Sequence, residues 1–165
     1  MRLQNPIYGK LAAEYALLAE GYFGNRPVSI CFFGSVARGD ATPQSDIDVM
    51  VVENLPRDIG FRARQTQLLR DKVRGSEAYR KLRSEGRSAF ISEVVLSPEE
   101  VKTHPPILLD FTDDGLIMYD RNGFLETVLA DIRLRLKELG GRKVKACKGH
   151  YWILKPDADP TPLFQ

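Results

Sequence analysis

Residues 28–52 read VSICFFGSVARGDATPQSDIDVMVV, and the fold turns on how this stretch divides. Val28 to Phe33 is an apolar run of strand length that ends in Gly34-Ser35. Val36-Ala37-Arg38 then starts a short helix, which Gly39 closes. Asp40 to Ser45 is a polar loop with Pro43 inside it, and a second apolar run, Ile47 to Val52, begins directly behind Asp46. One strand thus delivers a small, hydroxyl-bearing turn to a helix start, and the next delivers two carboxylates, Asp46 and Asp48.

Side chains alternate along a strand, so Asp46 and Asp48 share a face while Ile47 and Val49 share the other. Their backbones lie roughly 6–7 Å apart, close enough for the carboxylates to converge. Two acids so placed repel, and a divalent cation relieves the conflict. Magnesium suits the pair because it needs few protein ligands beside water and phosphate oxygens, and two such ions about 3.5–4 Å apart serve phosphoryl transfer. Gly34 lets the backbone approach a phosphate, Ser35 offers a hydroxyl and an N–H at the helix start, and Arg38 adds a planar donor fork. Such a set handles a nucleoside triphosphate with magnesium.

Gly34-Ser35, Ala37-Arg38-Gly39 and Ser45-Asp46-Ile47-Asp48 together resemble the signature of the DNA polymerase beta-type nucleotidyltransferase superfamily. The ten residues between Ser35 and Asp46, with the short chain, are similar to the minimal nucleotidyltransferase branch, small proteins often paired with HEPN-domain toxins. A looser likeness continues through Ser97-Pro-Glu-Glu100, Leu108-Leu-Asp-Phe111, Asp114-Gly115, Tyr119-Asp120-Arg121 and Tyr151-Trp152-Ile-Leu-Lys-Pro156.

The resemblance implies an α/β fold, a small mixed sheet with helices packed mainly on one face. It implies transfer of a nucleoside monophosphate, AMP from ATP first among the triphosphates, to an acceptor hydroxyl with release of pyrophosphate. Gly34, Ser35 and Arg38 would bind the nucleotide, and Asp46 and Asp48 would hold two magnesium ions. The family also carries a third carboxylate on a later strand, and Phe90 to Leu96 is the later apolar run in a suitable place, with Glu93 its only acid. Glu93 is therefore the expected third metal ligand and base. The expected partner is a HEPN-type toxin, with this chain as antitoxin. A small-molecule acceptor or RNA is disfavoured because the chain has little room for an added binding domain. A nucleotide-binding module that masks its partner without turnover stands as the alternative.

At 165 residues the length suits one domain, read as 1–155 with a mobile tail over 156–165. The net charge of +2 excludes a global polyelectrolyte signature for nucleic acid or membrane. No apolar run reaches membrane-spanning length and Met1 to Pro6 lacks the apolar core of a signal peptide, so the cytoplasm is the expected compartment. Cys31 reads as a core residue, and the two cysteines show no zinc spacing. Whether the chain dimerises stays open.

Along the rest of the chain, Ile7 to Phe23 reads as a helix ended by residues 24–27. Asp58 to Glu85 reads as a basic helical region broken near Gly75-Ser76, with Phe61, Leu68 and Leu69 as its buried stripe. Its arginines and lysines could form a platform for RNA or an acidic protein, and a solvated face is the preferred reading. Ser97 caps a short helix, and Phe124 to Leu139 is an amphipathic helix closed by Gly140-Gly141. Residues 142–155 read as a hairpin turning at Lys148-Gly149, with Trp152 packed as core. His104 and His150 are expected to be structural or solvated.

Overall fold

The structure, a computed structural model, describes residues 6–24, 26–146 and 149–155. Its centre is a four-stranded sheet in the order β3-β2-β1-β4, formed by β1 (Pro27–Phe33), β2 (Ile47–Glu53), β3 (Ile91–Leu96) and β4 (Leu116–Asp120). β1 pairs antiparallel with both β2 and β4, while β2 and β3 run parallel, so the sheet is mixed as expected.

The two central strands read as continuous apolar runs because both of their faces are covered. Ile30, Phe32, Ile47, Val49 and Val51 pack on one side under α1 (Pro6–Phe23), α3 (Ile59–Arg74) and α4 (Glu77–Ser84). Val28, Cys31, Met50 and Val52 pack on the other under α5 (Pro98–Lys102), α6 (Leu108–Asp114) and α7 (Phe124–Leu139). This corrects one expectation about the layers: the helices cover both faces rather than mainly one. An irregularity in the β1–β2 pairing between Pro27 and Ser29 lets Val28 join the opposite core from Ile30.

On the first face, Tyr15 of α1 meets Phe32 edge to face with ring centroids 5.6 Å apart. The break between α3 and α4 falls at Gly75-Ser76, where the Ser76 hydroxyl accepts the Tyr79 N–H and starts the second helix. Leu69 and Val73 form the buried stripe of α3, whereas Leu68 is exposed, which corrects its placement there. On the second face, α7 buries Leu125, Val128, Leu129, Ile132 and Leu136 at helical spacing. Asp120 accepts the Leu125 and Glu126 N–H groups at its start and the buried Ser29 hydroxyl at 2.6 Å, tying α7 to β1. Truncating Leu125 or Leu129 to alanine removes about 2–5 kcal/mol of stability.

A separate antiparallel hairpin, β5 (Arg142–Lys145) and β6 (His150–Ile153), packs Trp152 against the second core. Part of its turn, Cys147-Lys148, and the tail from Pro156 onward lie outside the described residues. Among the described residues no helix is long and apolar enough to cross a membrane.

Candidate active site

β1 ends at Phe33, which is paired with Asp48 on β2, and α2 (Gly34–Arg38) begins at the next residue. The chain reverses there through Gly34 at φ +70°, a conformation that L side chains rarely adopt. A β-carbon at position 34 would collide with the Asp48 carboxylate, whose Cγ would lie 3.2 Å away. Gly34 is therefore required twice, for its backbone angle and for the space the carboxylate occupies. α2 ends at Gly39 (φ +85°), whose N–H reaches the Ser35 carbonyl at 3.0 Å, and the Asp40 N–H shares that carbonyl.

The loop that leads to Asp46 is held from within. The Ser45 hydroxyl accepts the Thr42 N–H at 2.9 Å, and the Ser45 N–H returns to the Thr42 carbonyl at 3.1 Å. Asp46 is exposed and Asp48 is half-buried. Burial and the neighbouring Asp46 charge push the Asp48 carboxyl above its ordinary range, with Arg38 opposing them. The fold thus sets Asp48 against Gly34 and leaves Asp46 near enough for its charge to act on the Asp48 carboxyl. Two acids whose repulsion is only partly offset are a donor set suited to a divalent cation. Among the described residues no three acidic, histidine or cysteine side chains form a metal-binding group, so this set is a pair.

Glu93 does not join it. In the parallel β2–β3 register Asp48 lies opposite Ser92, and Glu93 lies opposite Val49, on the other face of the sheet. Its side chain is 1% exposed and accepts a hydrogen bond from Arg70 of α3 at 2.7 Å. Burial pushes Glu93 up to about 7 against the opposing Arg70 charge. Tyr15 lies close to this carboxylate, and burial followed by the Glu93 charge raises its hydroxyl well above the usual range. The expectation that Glu93 completes the metal site is corrected by strand parity: one residue along a strand changes the face.

Arg38 points from the end of α2 toward Asp40 (3.3 Å) and Asp114 (3.7 Å). Asp114, at the end of α6, also accepts a 2.6 Å hydrogen bond from Lys143 of β5. Asp110, one turn earlier, receives the Trp152 indole N–H at 3.1 Å and contacts His150 Nε2 at 2.7 Å. Two acids of α6 thus pin the hairpin beside α2. Between them opens a cleft of about 480 Å³ lined by Arg38, Asp40, Lys143, Lys145 and His150.

Sequence reasoning missed this second wall. Asp110, Asp114, Lys143 and His150 are distant along the chain and carry no local spacing signal. The two aspartates' place in the looser family likeness was the one available hint.

With this geometry in place, the comparisons define the class. The family described as "Nucleotidyltransferase domain" matches residues 21–144, and the chain belongs to that family. It is therefore a nucleotidyltransferase. It is similar to "Putative protein adenylyltransferase MJ1305" of Methanocaldococcus jannaschii, 32% identical over 140 residues that span 83% of this chain and 88% of the relative. Among solved structures, "Crystal structure of the toxin-antitoxin with AMP-PNP" aligns at TM-score 0.49 and 14% identity, covering 78% of this chain and 92% of that one. "Crystal structure the toxin-antitoxin MntA-HepT" aligns at TM-score 0.45 and 12% identity, covering 79% and 92%.

Proposed function

We propose that this nucleotidyltransferase moves AMP from ATP to a hydroxyl of a protein acceptor, with magnesium held by Asp46 and Asp48. The observation that carries the reading is the Asp48 carboxylate set against Gly34, half-buried and raised by that burial and by the Asp46 charge. The protein as acceptor is supported by the relative named for protein adenylyltransferase. A HEPN-type toxin as that protein, and hence an antitoxin role, rests on the resemblance of the Ser35-to-Asp46 spacing to the minimal branch.

In this reading Gly34 gives the triphosphate backbone-close access, and Ser35 donates to its outer phosphates. Arg38, held between Asp40 and Asp114, turns its guanidinium along the cleft where those phosphates lie. Bound magnesium would polarise the α-phosphate and offset charge on the departing pyrophosphate. The acceptor oxygen bonds to the α-phosphorus as the bond to the pyrophosphate oxygen breaks. Glu93, on the opposite face, takes no proton from the acceptor. A magnesium ion held by Asp46 and Asp48 would lower the acceptor hydroxyl's pKa, so that its proton could pass to solvent without a protein base.

The test is incubation with α-labelled ATP, magnesium and a lysate of the source cells. A labelled protein band that disappears with Asp46→Asn/Asp48→Asn supports the proposal.

One observation favours a second reading, a partner-masking module that binds nucleotide without turnover: the position beside Asp48 on β3 is Ser92, not an acid. Magnesium-dependent ATP binding with no label in any macromolecule would select it.

A further inference from the structure

The face of the sheet that carries Glu93 holds a recess of its own. The end of α3, α4 and residues 88–91 enclose about 410 Å³, a volume within the range of small-ligand pockets. Three guanidinium groups line it, from Arg70, Arg74 and Arg83, together with Tyr79 and Phe90. None of its eight lining residues is acidic.

Each arginine is held differently. Arg70 is fixed by the buried Glu93 carboxylate at 2.7 Å and by Gln67 at 3.1 Å, so its fork is already oriented. Arg74 is held by Asp71 at 2.8 Å on the outer side of the helix. Arg83 makes no ion pair or side-chain hydrogen bond among the described residues. Burial keeps the one acid behind Arg70 up to about 7, which leaves that guanidinium incompletely neutralised near neutral pH. Like charges gathered around one concave space repel, and an anion accepting their forks removes the repulsion. Phe90, 59% exposed at the mouth, offers a ring face to a flat apolar group.

We propose that this recess is a second binding site, separate from the carboxylate pair, for a phosphate-bearing small molecule of nucleotide size. Arg70, Arg74 and Arg83 hold the phosphate, and Phe90 covers the remainder of the ligand. The site touches the catalytic loop: the Ser88 N–H bonds to the Pro43 carbonyl at 2.6 Å, and the Ile47 N–H bonds to the Phe90 carbonyl at 2.9 Å. A ligand seated here lies against the backbone that sets Asp46. The inference does not depend on which acceptor the enzyme uses.

The experiment is calorimetric titration of the Asp46→Asn/Asp48→Asn chain in EDTA, which silences metal-dependent binding at the carboxylate pair. The probes are inorganic pyrophosphate and AMP. Saturable binding of either one, weakened about tenfold or more by Arg83→Gln and by Arg74→Gln, is expected, since each substitution removes a charged hydrogen-bond donor to the phosphate. Both arginines are exposed on helices, and unchanged thermal midpoints without ligand establish that the variants fold. AMP binding that Phe90→Ala weakens identifies a nucleotide as the ligand, and equal binding of pyrophosphate assigns the site to phosphate alone. Absence of saturable binding by both probes, or binding that neither arginine substitution alters, overturns the proposal.

Discussion

Asp48 lies opposite Ser92, not Glu93, across the parallel β2–β3 pair. The carboxylate pair at the end of β1 is therefore separated by the whole thickness of the sheet from the buried Arg70–Glu93 ion pair. The two acidic features do different work. One is half-open, with Asp48 raised by burial and by the Asp46 charge, which suits a divalent cation; the other is sealed in the core, paired with Arg70 of α3 and raised by burial to about 7.

Placing an acid at position 92 should act on the metal. Ser92→Asp sets a third carboxylate beside Asp48, and the magnesium concentration needed for half-maximal transfer should fall several-fold. A magnesium dependence unchanged in Ser92→Asp, measured by titrating the transfer rate, would count against the pairing of Asp48 with Ser92.

Gly34→Ala should lose activity more than stability. The φ of +70° adds strain of about 1–2 kcal/mol for an L residue, and the new methyl displaces the Asp48 carboxylate. A displacement near 1 Å at a reacting centre costs about a hundredfold in rate. Steady-state transfer and thermal unfolding, run on the same preparation, separate the two effects.

The stability of the fold should decline from pH 5 to pH 8 through Glu93 and Glu53. Burial raises each to about 7 from an ordinary value of 4.5, with Arg70 and Arg26 opposing. Between those values the folded state holds protons that the unfolded state has released, so raising the pH favours unfolding. The contribution is complete below the unfolded value and is lost as pH rises through the folded one. Each group accounts for at most about 3 kcal/mol. Denaturant titrations of wild type and Glu93→Gln across this range should give a difference curve that flattens above pH 8. Parallel curves would remove Glu93 as a source.

Asp114→Ala should loosen the hairpin from α2. It removes the carboxylate that Lys143 and Arg38 share, at a cost of about 1–3 kcal/mol. The KM for ATP should rise several-fold while kcat changes less, because the cleft wall moves and the carboxylate pair does not. A kcat loss with unchanged KM would place Asp114 elsewhere in the reaction.

What was legible in the sequence was local. The apolar runs around Gly34-Ser35 and behind Asp46, the break at Gly75-Ser76 and the span of α7 are each set by residues within a few positions of one another. The errors arose where a distant partner decides. Which face of β3 turns toward Asp48, that of Glu93 or that of Ser92, is fixed only by the crossover through α3 and α4. Leu68 and Leu69 are adjacent leucines, and only the docking of α3 on α1 selects Leu69 for the core. The Lys143–Asp114 and His150–Asp110 contacts join segments with no shared periodicity, so no local spacing announced the second wall of the cleft.

The expectation is that Asp46 and Asp48 carry metal-dependent transfer and Glu93 does not. It is tested most directly by measuring label incorporated from α-labelled ATP by wild type, Asp46→Asn/Asp48→Asn and Glu93→Gln, under one magnesium concentration with the acceptor present. No incorporation is expected from the double variant, and incorporation within a few-fold of wild type from Glu93→Gln. Loss of transfer in Glu93→Gln with its fold intact, or full transfer by the double variant, would contradict it.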